Sequence, residues 1–290
     1  MTPGEQPLHS PKPTQNSGTG VTHYENFPVA SFLCPPALRT PITAIYWFAR
    51  TADDLADEGD ATPQTRLADL AAYRADLQAC VAGQAFSARW AAVFQPLQVV
   101  ITQFALPVGL LADLLSAFEQ DVVKTRYANN EELLDYCRLS ANPVGRLLLH
   151  LYGISDAASL VQSDRICTAL QLINFWQDLS QDIPRGRIYL PAGQWERYGV
   201  TEAQLLALQV NSATTNLVEA SVSWAVAMMQ EGAPLVKTIP GRAGWELRLV
   251  VQGGLRIAKK IEKLDFATLK TRPKIGPWDI AVMAWRSVFM

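Results

Sequence analysis

Arg50-Thr51-Ala52-Asp53-Asp54-Leu55-Ala56-Asp57 and Gln177-Asp178-Leu179-Ser180-Gln181-Asp182 repeat one geometry. Each places two aspartates four residues apart in a stretch that reads as helix, and positions i and i+4 share a face. Without a counter-cation such pairs repel, and four carboxylates converging on one pocket would repel more strongly. Oxygen-only ligands of this kind suit Mg²⁺, which keeps several waters and bridges to substrate phosphates. The expectation is that the two clusters face each other, that Asp53, Asp57, Asp178 and Asp182 ligate Mg²⁺, and that the site holds a diphosphate.

The residues around each cluster extend this reading. Thr40-Pro41 is a good helix start, with Thr40 as N-cap and proline at the first position, and the helix should run to about Glu58 before Gly59. Ile42, Tyr46, Ala49, Arg50, Asp53 and Asp57 then share one face, which changes from apolar to acidic along its length. A plain surface helix puts its charges opposite its apolar stripe; here they continue it, like the wall of a polar-ended cavity. A second helix is expected over 164–182, with Gln171, Asn174, Asp178 and Asp182 on one face. A single Asp-x-x-x-Asp is most often a solvated surface. Two copies in long apolar settings, each preceded by polar side chains on the same face, are costly unless paired or metal-bound.

The rest of the chain is punctuated as a helical protein. Residues 1–20 are poor in large apolar side chains and read as a disordered tail, and the remaining length suits one large domain or two smaller ones. Helices are expected over 63–82, on either side of Pro107, from an Asn130 cap to an interruption at Pro143 and Gly145, around Trp195, over 212–237 and 241–265, and around 278–288. Period-2 alternation and hairpin dipeptides are almost absent, so strands should be minimal. From Trp90 to Ala112 no residue is charged, but Pro96, Pro107 and three glutamines divide the run into a buried helix pair rather than a membrane span.

Of the 290 residues, 49% are apolar and 18% charged, a surplus of greasy side chains that can line a cavity or meet a membrane surface. The net charge of −2 gives no electrostatic case for nucleic acid. Cys34, Cys80, Cys137 and Cys167 are scattered without zinc spacing and read as reduced thiols of a cytoplasmic protein, with peripheral contact at the inner membrane left open. Di-iron Glu-x-x-His pairs, an EF-hand loop, a phosphate-binding P-loop and a dinucleotide fingerprint are all missing.

At these residues the chain resembles the squalene/phytoene synthase family. Asp53-Asp54-Leu55-Ala56-Asp57 matches that family's first acidic motif. Gln171, Asn174, Asp178 and Asp182 match its second, which runs into Arg187-Ile188-Tyr189-Leu190-Pro191. The resemblance covers roughly His23 to Val288. It implies that 21–290 is a single all-α domain of isoprenoid synthase fold, with helices around a central hydrophobic cavity, the acidic motifs across its mouth and Mg²⁺ assisting ionisation of a diphosphate. It further implies that Arg50, Arg187 and Tyr189 assist the leaving group, that Tyr46 lies on the cavity side, and that Ala141, Val144, Gly145 and Leu148 line the cavity.

His23-Tyr24-Glu25-Asn26-Phe27 and the stretch Trp245 to Ile257 look like the bacterial hopanoid-pathway branch. Many members are serine-rich where this chain has Tyr24, Glu25 and Asn26, in a segment whose His23, Asn26 and Phe27 would contact a diphosphate. Other members carry a tyrosine where this chain has Gly253-Gly254. Both departures put in doubt a full condensation of two farnesyl diphosphates. They imply a carbon–oxygen lyase that receives presqualene diphosphate, rearranges its cation and captures water to give hydroxysqualene, alongside sister enzymes of the pathway. Two alternatives stand beside it: a squalene or phytoene synthase acting on two prenyl diphosphates, and a non-catalytic prenyl-diphosphate-binding subunit.

Overall fold

The computed structural model describes residues 34–290. The chain forms α1 (Pro36–Asp57), α2 (Pro63–Val81), α3 (Ala91–Phe104), α4 (Val108–Val123), α5 (Asn130–Ser140), α6 (Asn142–Leu151) and α7 (Ala157–Gln177). It continues through α8 (Leu179–Asp182), α9 (Ala192–Arg197), α10 (Glu202–Leu206), α11 (Ser212–Gly232), α12 (Gly241–Glu262) and α13 (Pro277–Val288). Among the described residues there is no strand, only one parallel bridge between Arg126 and Ile188. The fold is all-α, as expected.

Three helix boundaries depart from the sequence reading. α1 begins at Pro36, not at Thr40: Pro35 is the extended residue before it, and Pro36 takes the first helical position, where the missing N–H costs nothing. Pro41 is thereby buried inside the helix, and α1's long apolar face outweighs the one backbone hydrogen bond it forfeits. The cap of α5 is Asn129 rather than Asn130, its carboxamide oxygen accepting from Glu132 N at 2.9 Å, and the break after α5 falls at Ala141, which puts Pro143 near the start of α6.

The third departure matters most. α7 starts earlier than Asp164, capped by Asp156, and ends at Gln177. Asp178 leaves helical geometry (φ −101°, ψ 10°) before α8 resumes. The stop is made by tertiary contacts: Gln177 Nε2 donates to the Pro273 carbonyl at 2.7 Å, and Arg272 grips the Asp178 carboxylate. Asp182 N still donates to Asp178 O at 2.9 Å, so the two acids keep a helix-like spacing across the break.

Two apolar clusters fill the interior. One, built on α1 to α4, centres on the stacked rings of Phe48 and Tyr73 with Phe94 tilted against them. The other packs α7 against α11 and α12 around Trp176, Met229 and Ile261. α6 joins them, giving Leu147 and Leu151 to the first and Leu149 to the second. Along that seam the chain leaves its cavity. No helix among the described residues is long and apolar enough to cross a membrane; the uncharged 90–112 run is divided between α3 and α4 at Pro107 as expected, whereas Pro96 lies inside α3 and does not break it.

Candidate active site: an apolar cavity with an acid and arginine mouth

A cavity of about 510 Å³ lies between α1, α6, α7 and α12, within the range of small-molecule sites. Ile42, Ile45, Tyr46, Ala49, Arg50 and Asp53 form its α1 wall. Because Cβ atoms three and four positions apart stack on one side of a helix, this single stripe carries the wall from hydrocarbon to carboxylate. Val144, Gly145 and Leu148 face it from α6, and Ser163, Ile166, Cys167 and Leu170 from α7. Gly145 is required by close packing: a Cβ there would fall 2.4 Å from Ser163 Oγ and 2.5 Å from Cys167 Sγ. Beyond Asp53 the cavity meets a polar recess formed by Arg50, Asp53, Asp57, Glu58, Arg185 and Arg187. The expected polar-ended cavity is present.

The two acidic motifs come together through arginine. Arg187, which follows the second motif, places Nη2 2.6 Å from Asp57 Oδ1 of the first. Its segment is held in place by Ile188 N donating to Thr125 O at 3.0 Å, just past α4. Arg272 makes the matching contact to Asp178, with Nη2 3.1 Å from Oδ2. Asp53 and Asp182, the other member of each pair, are weaker acids than usual, their pKa pushed up to about 6. Burial is the main cause in both; neighbouring acids (Asp54 and Asp57 for one, Asp178 for the other) add to it, and Arg50 and Arg187 respectively oppose it.

These carboxylates test the fit of a divalent cation. Among the described residues, no three acidic, histidine or cysteine side chains are grouped tightly enough as they stand to enclose a metal ion. The donor chemistry nevertheless fits: the set is all oxygen, and Asp53 and Asp182 are held in surroundings that leave their negative charge undercompensated. A cation between the pairs would draw Asp57 and Asp178 from their arginines and free two guanidinium groups for an anion.

Arg50 stays at the mouth, and the remaining expected residues fall elsewhere. Arg50 is engaged by Asp54 at 2.6 Å, Glu58 at 2.7 Å and Asp53 at 3.3 Å. Tyr189 is buried under Phe175, rings parallel at 3.7 Å, and does not line the cavity. Gln171, half-buried, Asn174, exposed, and Ala141, buried, also lie outside the cavity wall. His23, Asn26 and Phe27 lie outside the described residues. Gly254 packs against Met229 and Leu170, behind the wall to which Leu170 belongs.

Several residues at the site were not singled out by spacing. Asp121 on α4 accepts a 2.9 Å hydrogen bond from Tyr136 Oη. Burial raises it to about 7, opposed by that hydrogen bond and by Arg187, and supported by Asp53 and Asp57. Its signal was available: it lies three and four positions from Phe118, a cavity residue, and buried Ala117, on a largely apolar helix. Arg185 and Arg272 had no local pattern to betray them. Glu246, on the α12 wall, adds a second carboxylate to the cavity.

Comparison with known proteins agrees with this geometry. A sequence profile described as squalene/phytoene synthase matches residues 21–279. The chain is 32% identical over 271 residues to hydroxysqualene synthase of Sinorhizobium fredii, covering 91% of this chain and 89% of that one. It is 41% identical over 189 residues to hydroxysqualene synthase of Zymomonas mobilis, covering 62% of this chain and 59% of that one. Its fold is similar to the crystal structure of squalene synthase HpnC from Alicyclobacillus acidocaldarius, with a TM-score of 0.78 and 36% identity over 84% of this chain and 90% of that chain.

Proposed function

The chain belongs to the squalene/phytoene synthase family, and from that premise we propose that it converts presqualene diphosphate into hydroxysqualene, as a carbon–oxygen lyase. The family acts on prenyl diphosphates, and the squalene and hopanoid pathway is its setting here. The observation that carries the reading is the α1 stripe, which runs from hydrocarbon wall to acid and arginine mouth within one helix. The likeness to proteins named hydroxysqualene synthase, along 91% of this chain in one case, supports the finer choice of substrate and product.

In this reading the diphosphate rests at the mouth and the isoprenoid chains lie along Ile42, Ile45, Leu148, Leu170 and Leu247. Asp53, Asp57, Asp178 and Asp182 would hold Mg²⁺. When bound, the metal supplies positive charge to the departing diphosphate. Arg187 and Arg272, released from Asp57 and Asp178, donate N–H bonds to the diphosphate oxygens as charge builds there. The C–O bond breaks with both electrons leaving on the diphosphate. Where Ile42, Ile45, Leu148, Leu170 and Leu247 line the cavity, their hydrocarbon side chains offer the resulting cation no nucleophile while it rearranges. Water then adds its oxygen to the cation and loses one proton, giving the alcohol. No electron donor enters this balance, so NADPH is not required.

The test is product identification with purified protein, Mg²⁺ and no NADPH. Hydroxysqualene from presqualene diphosphate, with no condensation product from farnesyl diphosphate, is the expected result. Presqualene diphosphate or a phytoene-type product from the C15 or C20 substrate would overturn it. Binding without turnover would identify a non-catalytic subunit instead.

A further inference from the structure

α13 is built inside out. On an ordinary surface helix the apolar residues face the protein and the polar ones face water. Here Asp279 and Ser287 are buried beside Met283, at 4%, 0% and 6% exposure. Trp278, Ile280, Trp285, Val288 and Phe289 face outward at 85%, 60%, 67%, 54% and 71%. The polar side is the one that roots the helix: Asp279 accepts from Arg256 Nε at 2.6 Å and from Gly276 N at 2.7 Å, and is paired with Lys260. At the other end, Arg248 of α12 donates to the Ser287 carbonyl at 3.3 Å. The greasy face is therefore held outward by polar contacts on the opposite side.

We propose that this face of α13 docks on an anionic lipid bilayer, lying in the interface with its tryptophans and Phe289 at headgroup depth. The composition of the face fits that occupant, since two exposed tryptophans and a phenylalanine suit a zone that is apolar on one side and wet on the other. Its charge fits too. From Lys270 to Met290 the chain has four basic side chains and one acid, a formal +3 in a chain of −2. The single acid, Asp279, is buried and neutralised, whereas Lys270, Lys274 and Arg286 are exposed. Exposed basic side chains within and just before an apolar-faced helix are what anionic headgroups attract. At 12 residues the helix is about 18 Å long, so it lies on a bilayer and does not span it.

The surface also adjoins the cavity. Arg248 reaches α13 and stacks over exposed Trp245, and the next-door Glu246 and Leu247 line the cavity wall. Docking would bring that wall close to the lipid in which a C30 isoprenoid dissolves. This use rests on the proposed reaction; the docking itself rests on α13 alone.

The experiment is vesicle flotation of the full chain with 30% phosphatidylglycerol in phosphatidylcholine, and with phosphatidylcholine alone, read without any activity measurement. Wild type is expected to float with the anionic vesicles and to be released by high salt. Trp278→Ser/Trp285→Ser should reduce the floated fraction at least tenfold. Lys274→Glu/Arg286→Glu should remove the preference for the anionic lipid. Both variants change exposed side chains, so melting temperature and turnover of detergent-dispersed substrate should match wild type. Wild type remaining in the aqueous fraction, or a double tryptophan variant that floats equally well, would overturn the proposal. So would a concentration-dependent dimer that the tryptophan variant abolishes without any vesicle binding, which would make the face a contact between copies of the chain.

Discussion

The two acidic clusters are alike in sequence and differ in how they are held. Asp53 and Asp57 ride on the uninterrupted α1, so their spacing is dictated by local helix geometry. Asp178 and Asp182 stand across a break that Arg272 and the Gln177–Pro273 contact make from a segment more than ninety residues away, and only the Asp182 N to Asp178 O hydrogen bond keeps their helix-like spacing. Yet the outcome is the same on both sides: one aspartate under an arginine, and one, Asp53 or Asp182, pushed up to about 6. The mouth is thus a pair of half-neutralised carboxylate pairs, one built by a helix and the other by long-range packing.

The harshest way to break this comparison is to remove one carboxylate from each side. Asp53→Asn and Asp178→Asn should each lower turnover about 10³-fold or more, with circular dichroism unchanged, because each removes a donor that acts at the leaving group. Near-normal turnover in either would remove that cluster from the chemistry. The arginines should separate the clusters more finely. Arg187 links the second motif to the first, whereas Arg272 holds Asp178 within the second, so Arg187→Ala is expected to cost about 10²-fold in turnover and more than Arg272→Ala. Steady-state kinetics on both variants checks the order.

Titration offers a third test, with its sign set by the raised acids. Asp53 and Asp182 at about 6, and Asp121 at about 7, hold protons in the folded chain that exposed carboxylates, near 4, have lost. Their effect on stability is most favourable below about pH 4 and is lost as pH rises through 6 to 7. Between pH 5 and 8 these groups should therefore lower the metal-free melting temperature, and Mg²⁺ should offset that loss, binding more tightly as pH rises. Scanning calorimetry with and without the ion reads both. The smallest expected effect is at Gly254. A Cβ there would press on Met229 Cε and Leu170 Cδ2 at 2.8 and 2.9 Å, the movable ends of flexible side chains. Gly254→Ala should cost about 1 kcal/mol, less than Gly145→Ala, where the approach is closer and the short side chains of Ser163 and Cys167 can yield only by turning about a single bond. Urea unfolding of both variants ranks them.

The same contrast explains what could be read from the sequence. The α1 wall was legible because every residue in it obeys one helical period, from Ile42 to Asp57. The second cluster was legible as a motif, but its break was not: no glycine or proline lies next to Asp178, and the cause sits at Arg272 and Pro273. Arg272 and Tyr136 were missed for the same reason, since each reaches the site from another segment and makes no local pattern with its neighbours, whereas Asp121 was missed although Phe118 and Ala117, three and four positions before it, marked its side of α4. The start of α1 was misplaced because Thr40-Pro41 is a sound local signal that packing further upstream overrides. α13 was found as a helix, but nothing in its period says that its tryptophans face outward; that follows from which side Arg256 and Lys260 anchor.

The central claim is that the mouth ionises a carbon–oxygen bond and that water, not diphosphate, supplies the product's oxygen. Turnover of presqualene diphosphate in H₂¹⁸O with Mg²⁺, followed by mass spectrometry of the alcohol, tests it directly. Ionisation and water capture predict one ¹⁸O in hydroxysqualene. An unlabelled alcohol, formed by cleavage of the oxygen–phosphorus bond, would contradict it.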